Sequence, residues 1–248
     1  MKKIYQNYNS VFEDYFNGRK VIIKRFKEKF CWENETRAYN LLKNYDFPLP
    51  ELLESTYLEN KYSYLDSPTF SKVLKKEKIS FEGIFELLKK FQEIDGGPFL
   101  NFFSRNNRIL KKSSDLYYKK VIDIKSLEKI EKLCDSYYLK FKSFCHGDLR
   151  LENIFGNGKK IDGLIDFEFS GIDDPNKDLA YLWISAVRID KEVNHYLKRE
   201  FKNLNYFDYI SFIYWLTYFH LMILDNPLNK DKKSWVYNLE RIIKDVKS

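Results

Sequence analysis

Apolar and polar positions alternate in short runs over residues 4–24. Val11-Phe12 fall on one run and Val21-Ile22-Ile23 on the next, with the polar triplet Asn17-Gly18-Arg19 between them. Period-two patterning around a glycine turn predicts two or three strands, two of them joined as a hairpin. Glu33-Asn34-Glu35 then opens a helical pattern through Ala38, Leu41 and Leu42. That helix must stop before Phe47-Pro48-Leu49-Pro50, because proline lacks the amide donor and clashes with the preceding turn. Two further strands are expected near Leu52–Leu58 and Tyr62–Leu65, so the first 65 residues read as a small sheet carrying one helix.

From Ser80 the period changes. Phe81, Ile84, Phe85, Leu88 and Phe91 recur at helical spacing, and Gly96-Gly97-Pro98 ends that helix. Further helical patterns cover about 126–142, 178–189, 191–201, 207–225 and 231–246, while 99–125 fits neither period. Among them lies a hairpin: Asn153-Ile-Phe as one short strand, Gly156 to Lys160 as the turn, and Ile161 to Ile165 as the return strand. Pairing across it sets Asn153 and Asp166 nearly opposite each other. No repeat or low-complexity linker separates the parts, so two lobes are expected, 1–66 and 67–248, joined near residues 65–70.

Composition adds bounds. A chain of 248 residues with 44% hydrophobic content is long and apolar enough to bury a core. Forty-three basic against 36 acidic residues give a net charge of +7. Short mixed runs such as Lys75-Lys76-Glu77-Lys78 lack the clustering of a nucleic-acid footprint, so no nucleic-acid partner is expected. Cys31, Cys134 and Cys145 show no CxxC spacing and are odd in number, which fits a reducing cytoplasm. MKKIYQNYNS has no apolar stretch behind its basic start, so no signal peptide is expected. The longest uncharged apolar run, Tyr209 to Leu224, spans roughly 24 Å as a helix against a bilayer core of about 30 Å, which predicts a buried helix and no membrane span.

The chemistry concentrates in HGDLRLENIF, residues 146–155, and the LIDFEFS that follows, ending at Ser170. Phosphoryl transfer from ATP needs a metal-held triphosphate, an oriented hydroxyl and neutralised phosphoryl oxygens. Magnesium takes oxygen ligands and keeps several waters, so one carboxylate and one amide oxygen, Asp166 and Asn153, suffice. Asp148 precedes the hairpin and would accept a hydrogen bond from the acceptor hydroxyl. With an ordinary pKa of about 3.9 it would aim that hydroxyl and take its proton late. Each residue alone is commonplace on a surface turn; the ordered set is not. There is no GxxxxGK[ST] and no GxGxxG, so neither a P-loop nor a Rossmann site is expected.

HGDLRLENIF, LIDFEFSGIDDP and KDLAYLW together resemble the aminoglycoside phosphotransferase and choline kinase superfamily, relatives of protein kinases. The resemblance implies an α+β, two-lobed protein kinase-like fold, with a small antiparallel-sheet N-lobe carrying one helix and a mostly helical C-lobe. It implies Asp148 as catalytic base, Asn153 and Asp166 as magnesium ligands, and Asp178 as a buried carboxylate bracing the catalytic loop. Asn9-Ser10-Val-Phe12 with Gly18 to Lys24 resembles the family's nucleotide-covering hairpin and its phosphate-binding lysine. Lys24 would hold ATP phosphates and Glu35 would hold Lys24, although eleven positions between them is short for the family. The loop near Gln6–Ser10 would cover the phosphates without glycine. Tyr64-Leu65-Asp66-Ser67 resembles the hinge whose backbone meets adenine.

Protein kinases carry arginine where this chain has Gly147, and only seven residues separate Asp166 from Asp174-Pro175. That leaves no room for an activation segment, which favours a small acceptor over a peptide. Arg150, two residues after the base, is expected to touch the transferred phosphate. His146 is expected to be structural, and His195 and His220 carry no partner motif. Residues 145–178 hold eight acidic and four basic residues, a surplus that predicts a cationic acceptor such as an aminosugar, choline or ethanolamine. Tyr209, Phe212, Tyr214, Trp215, Tyr218 and Phe219 of the aromatic helix would offer ring faces to such a cation, unless they are core. Phe167-Glu168 is nearer the choline-kinase form of the motif, whereas the compact length suits the antibiotic kinases. Two rivals stand beside this reading, a compact atypical protein kinase and a non-catalytic nucleotide-binding module.

Overall fold

Asn17 and Gly18 both adopt positive φ, 49° and 74°, as a two-residue hairpin turn requires if its twist is to match that of its strands. The hairpin joins β2 (Ser10–Phe16) to β3 (Arg19–Arg25) in unbroken register from Ser10↔Arg25 to Phe16↔Arg19. β1 (Lys2–Gln6) pairs outside β2, and β5 (Glu59–Ser63) and β4 (Leu52–Thr56) extend the antiparallel sheet beyond β3. These coordinates are a computed structural model describing residues 1–6, 9–97, 103–226, 231–244 and 246. Residues 7 and 8 of the expected phosphate-covering loop lie outside that description, as do 99–102 of the stretch without a period.

The helix of this lobe among the described residues, α1 (Lys29–Leu42), starts four residues before the position the sequence pattern marks. Its buried face is Cys31, Asn34, Glu35, Ala38, Tyr39 and Leu42, so two polar side chains occupy core positions and hide the apolar period. The β4–β5 turn also differs from expectation. It falls at Tyr57-Leu58, and β5 begins three residues early. No glycine marks it; Leu58 takes φ 60° while its carbonyl accepts the Phe26 amide at 2.8 Å, a tertiary bond that offsets the strain of the left-handed conformation.

The second lobe is mostly helical. It contains α2 (Phe70–Leu74), α3 (Glu82–Gln92), α4 (Phe103–Tyr118), α5 (Ile124–Ser136), α6 (Asn176–Ile189), α7 (Val193–Lys202), α8 (Tyr209–Asp225) and α9 (Lys232–Ile243). α4 supplies most of the stretch that showed no clear period, and α2 was not expected. α5 ends six residues early, because Tyr137 turns extended and sends its hydroxyl to Asp174 at 2.9 Å. α8 is the buried helix expected: Phe212, Tyr214, Trp215, Leu216, Leu221 and Leu224 are all within its core face, each contributing about 1.5–3 kcal/mol by leaving water. Among the described residues no helix is long and apolar enough to cross a membrane. Two small antiparallel pairs, β6 (Ser143–Cys145) with β9 (Gly171–Asp173) and β7 (Ile154–Gly156) with β8 (Ile161–Leu164), hold the loops that carry residues 146–153 and 165–170.

Candidate active site

β6 delivers the chain into His146-Gly147-Asp148, and the fold braces this turn from below. Asp178, in the first turn of α6, accepts the His146 amide at 2.7 Å and the Gly147 amide at 2.9 Å. Burial pushes this carboxyl up to about 7, against the pull of Lys177 and of those two amides. The His146 ring faces the Ile165 carbonyl through Nε2 at 3.0 Å and the Asp148 amide through Nδ1 at 3.3 Å. That pairing fits one neutral tautomer, and burial lowers the ring's pKa to about 4. His220 is likewise buried, against the Leu216 carbonyl. Gly147 sits at φ 83°, and a β-carbon there would lie 1.9 Å from the Phe169 carbonyl oxygen. Only glycine lets the 146–148 loop lie against the 167–170 turn.

Asp148 is 6% exposed. Asn153 donates its amide to the Asp148 carbonyl at 2.9 Å and to Asp148 Oδ2 at 3.1 Å, so neither bond uses its own Oδ1. Arg150 does not point away from Asp148: its guanidinium lies 2.6 Å from Asp148 Oδ2. Burial raises the Asp148 carboxyl to about 6, and Arg150 opposes that rise. Across the hairpin the Ile165 amide donates to the Asn153 carbonyl at 3.1 Å. Asp166 follows in the left-handed region at φ 73°, a conformation that aspartate tolerates better than most residues.

Asp166 Oδ1 lies 2.5 Å from Lys24 Nζ, and Glu35 Oε2 lies 2.6 Å from the same nitrogen, with Glu168 Oε2 at 3.5 Å. The three carboxylates can bring oxygens within 4.8 Å of one another, and the charge they surround is the ammonium of Lys24. Burial opposes that charge; Glu35, Asp166 and Glu168 more than offset it and raise the lysine well above its ordinary value. Burial alone would also raise Asp166, but Lys24 outweighs it and holds the carboxylate below its ordinary value. Glu35 is fixed from its other side by the Tyr62 hydroxyl at 2.5 Å. The early start of α1 explains the short spacing: with β3 ending at Arg25 and α1 opening at Lys29, Glu35 falls on the second turn, beside Lys24.

The remaining expected nucleotide contacts lie at the lobe junction. Ser10 opens β2 opposite Arg25; the neighbouring Asn9 is the residue that reaches across the lobes, donating to Glu168 and accepting the Lys27 amide at 3.1 Å. Leu65 covers Gly163 of β8, where a β-carbon would meet its Cδ1 at 2.4 Å. The Ser67 hydroxyl donates to Asp162 at 2.5 Å. Besides Asn9, expected only as part of the phosphate-covering loop, two residues given no role from sequence are central: Glu168 and Asn34, which donates to the carbonyls of Glu168 at 3.0 Å and Ser170 at 2.8 Å. The available signal was Asn34 and Glu35 standing on the otherwise apolar face of α1.

Every acidic residue of 145–178 has a partner within the chain. Asp148 pairs with Arg150, Glu152 with Arg188, Asp162 with Lys160, Asp166 and Glu168 with Lys24, and Asp173 with Arg105 and Lys177. Asp174 accepts from Tyr137, Trp215 and Asn176, and Asp178 from the catalytic loop. The ring of Trp215 carries Arg105 at 5.1 Å and Lys177 at 5.5 Å, so it is already a partner of cations belonging to the chain.

A sheet-and-helix N-lobe over a helical C-lobe, with Lys24–Glu35 above and the Asp148 loop below, is a protein kinase-like fold. A model of the APH phosphotransferase enzyme family matches residues 32–209, and the chain belongs to that family. Among solved structures, aminoglycoside phosphotransferase APH(4)-Ia superposes with a TM-score of 0.71 at 15% identity, covering 98% of this chain and 92% of that one. A choline/ethanolamine kinase family protein from Mesorhizobium loti gives 0.68 at 18% identity, with 98% and 86% covered. Macrolide 2'-phosphotransferase type I gives 0.63 at 15%, with 95% and 87% covered. A variant of the first was crystallised with AMP-PNP and hygromycin B. No curated protein sequence matches the chain.

Proposed function

We propose that the protein transfers the γ-phosphate of ATP to a hydroxyl group of a small molecule, with the nucleotide held where residues 1–66 meet residues 67–248. The observation that carries this reading is the continuous path of contacts from Asp148 through Asn153 and the Ile165 amide to Asp166, Lys24 and Glu35. Asn153 Oδ1 and the second oxygen of Asp166 form an all-oxygen donor set that suits magnesium, and these two residues would hold it. Lys24, kept charged and fixed by Glu35, would bind triphosphate oxygens. When bound, magnesium ATP supplies the electrophilic phosphorus and neutralises charge on its oxygens.

Asp148 orients the acceptor hydroxyl and takes its proton as the new bond forms. A carboxylate raised to about 6 is a stronger base than an ordinary aspartate and is still mostly ionised at neutral pH. Asn153 and Arg150 hold it in place. The short stretch between Asp166 and Asp174 runs directly into β9 and α6, which supports a small acceptor over a peptide.

The test is ADP release by the full chain with ATP and magnesium over a panel of small alcohols. We expect saturable release with one class of acceptor and a loss of at least about a hundredfold in Asp148→Asn at unchanged thermal stability. Undiminished turnover in that variant, or phosphate transferred to protein with no small acceptor present, overturns the reading.

A further inference from the structure

Glu168 has no part in the phosphoryl transfer described above, yet three side chains of the N-lobe converge on it. It lies on the turn that follows Asp166 and is 7% exposed. Asn9, at the entry to β2, donates its amide to Glu168 Oε2 and is itself fixed, because its Oδ1 accepts the Lys27 amide at 3.1 Å. The Lys24 ammonium lies 3.5 Å from the same Oε2. Asn34 of α1 donates to the Glu168 backbone carbonyl at 3.0 Å. Side chain and main chain of this one C-lobe residue are thus both held from the opposite lobe, and a carboxylate at this depth needs such partners to stay charged.

Lys24 shows what the arrangement can do. Its ammonium is shared by Glu35 of its own lobe and by Asp166 and Glu168 of the other. Asp166 is also one of the two residues that would hold magnesium, and a carboxylate drawn to a divalent cation is drawn away from an ammonium. Among the described residues, Glu168 is then the only remaining carboxylate within ion-pair distance that joins Lys24 to the C-lobe. Glu35 pulls the ammonium toward α1; Glu168 pulls it toward the lobe junction.

Resting on the phosphotransferase reading above, we infer that Glu168 is a positioning residue for the nucleotide: clamped by Asn9, it keeps Lys24 at the lobe junction, where the triphosphate would lie, and ties the two lobes together there. No bond to Glu168 is made or broken in the reaction. Its contribution is to nucleotide affinity.

The experiment measures binding of AMP-PNP with magnesium to the full chain by calorimetry, without acceptor, alongside Tm. Glu168→Gln should raise Kd about tenfold, the worth of one hydrogen bond to a charged group. Asn9→Asp should raise it at least as much, because it sets two carboxylates against each other. The double variant reverses the pair: an amide at position 168 can donate to a carboxylate at position 9, and Kd should return to within about threefold of the wild type. The KM for ATP should follow Kd, with kcat at saturating ATP changed by less than about threefold. A merely structural contact would lower Tm in the single variants and leave Kd unmoved. That outcome, tighter binding in Glu168→Gln, or a double variant no better than the poorer single one overturns this inference and leaves the phosphotransferase reading intact. Failure of the wild-type chain to bind AMP-PNP overturns both.

Discussion

The guanidinium of Arg150 and the amide of Asn153 meet on the same atom, Oδ2 of Asp148, at 2.6 Å and 3.1 Å. Asp148 is therefore held by a cation that the sequence suggested would reach for the transferred phosphate. Its ionisation is a balance between burial, which raises the carboxyl, and Arg150, which lowers it.

The first prediction follows from that balance. With Asp148 at about 6, kcat/KM should rise with pH through an acid limb near 6 and level off above it, because the ionised form is the active one. Removing the cation in Arg150→Ala lets burial act unopposed, so the limb should move to higher pH, and turnover at pH 7 should fall at least about tenfold. A limb that stays in place or moves to lower pH, measured over pH 5–8, removes Arg150 from the control of Asp148.

A second prediction contrasts two glycines with positive φ. Gly18 has nothing within 4 Å of an added β-carbon, whereas at Gly147 that atom would lie 1.9 Å from the Phe169 carbonyl oxygen. Gly18→Ala should cost only the left-handed strain, about 1–2 kcal/mol, with activity kept. Gly147→Ala must displace backbone in the catalytic loop and should abolish turnover while lowering Tm further than Gly18→Ala. Equal effects of the two in calorimetry and turnover would contradict the close approach described here.

The third concerns Asn34, whose amide joins α1 to the turn after Asp166. Asn34→Ala leaves the Glu168 and Ser170 carbonyls buried without this donor, worth about 2 kcal/mol, or a Tm lower by roughly 4–8 °C for a chain of this length. Because Glu35 lies on the same helix face, the KM for ATP should rise several-fold as well. A lower Tm with the ATP KM unmoved would reduce Asn34 to a packing residue.

Much of the candidate site's placement was legible in the chain itself because its signals are local. Asn17-Gly18 dictates a tight turn wherever it is placed, since its residues reach positive φ at little cost. Asp148, Asn153 and Asp166 lie within one loop and one hairpin, so their spacing carries most of their relative placement. The helical period likewise exposed α3 and α6 to α9 to within a few residues. Where polar side chains occupy a core face, as in α1, the period was masked and the helix start was misplaced.

Tertiary structure alone decided how the charges pair. Asn9 meets Glu168 from 159 positions away, Asn34 meets Ser170 from 136, and Lys24 meets Asp166 from 142; no local pattern records such contacts. A count of acidic residues in sequence measures charge without its partners. Folding brought Lys24, Arg105, Arg188 and Lys177 onto those carboxylates, so each acid gained a partner that its place in the sequence does not reveal.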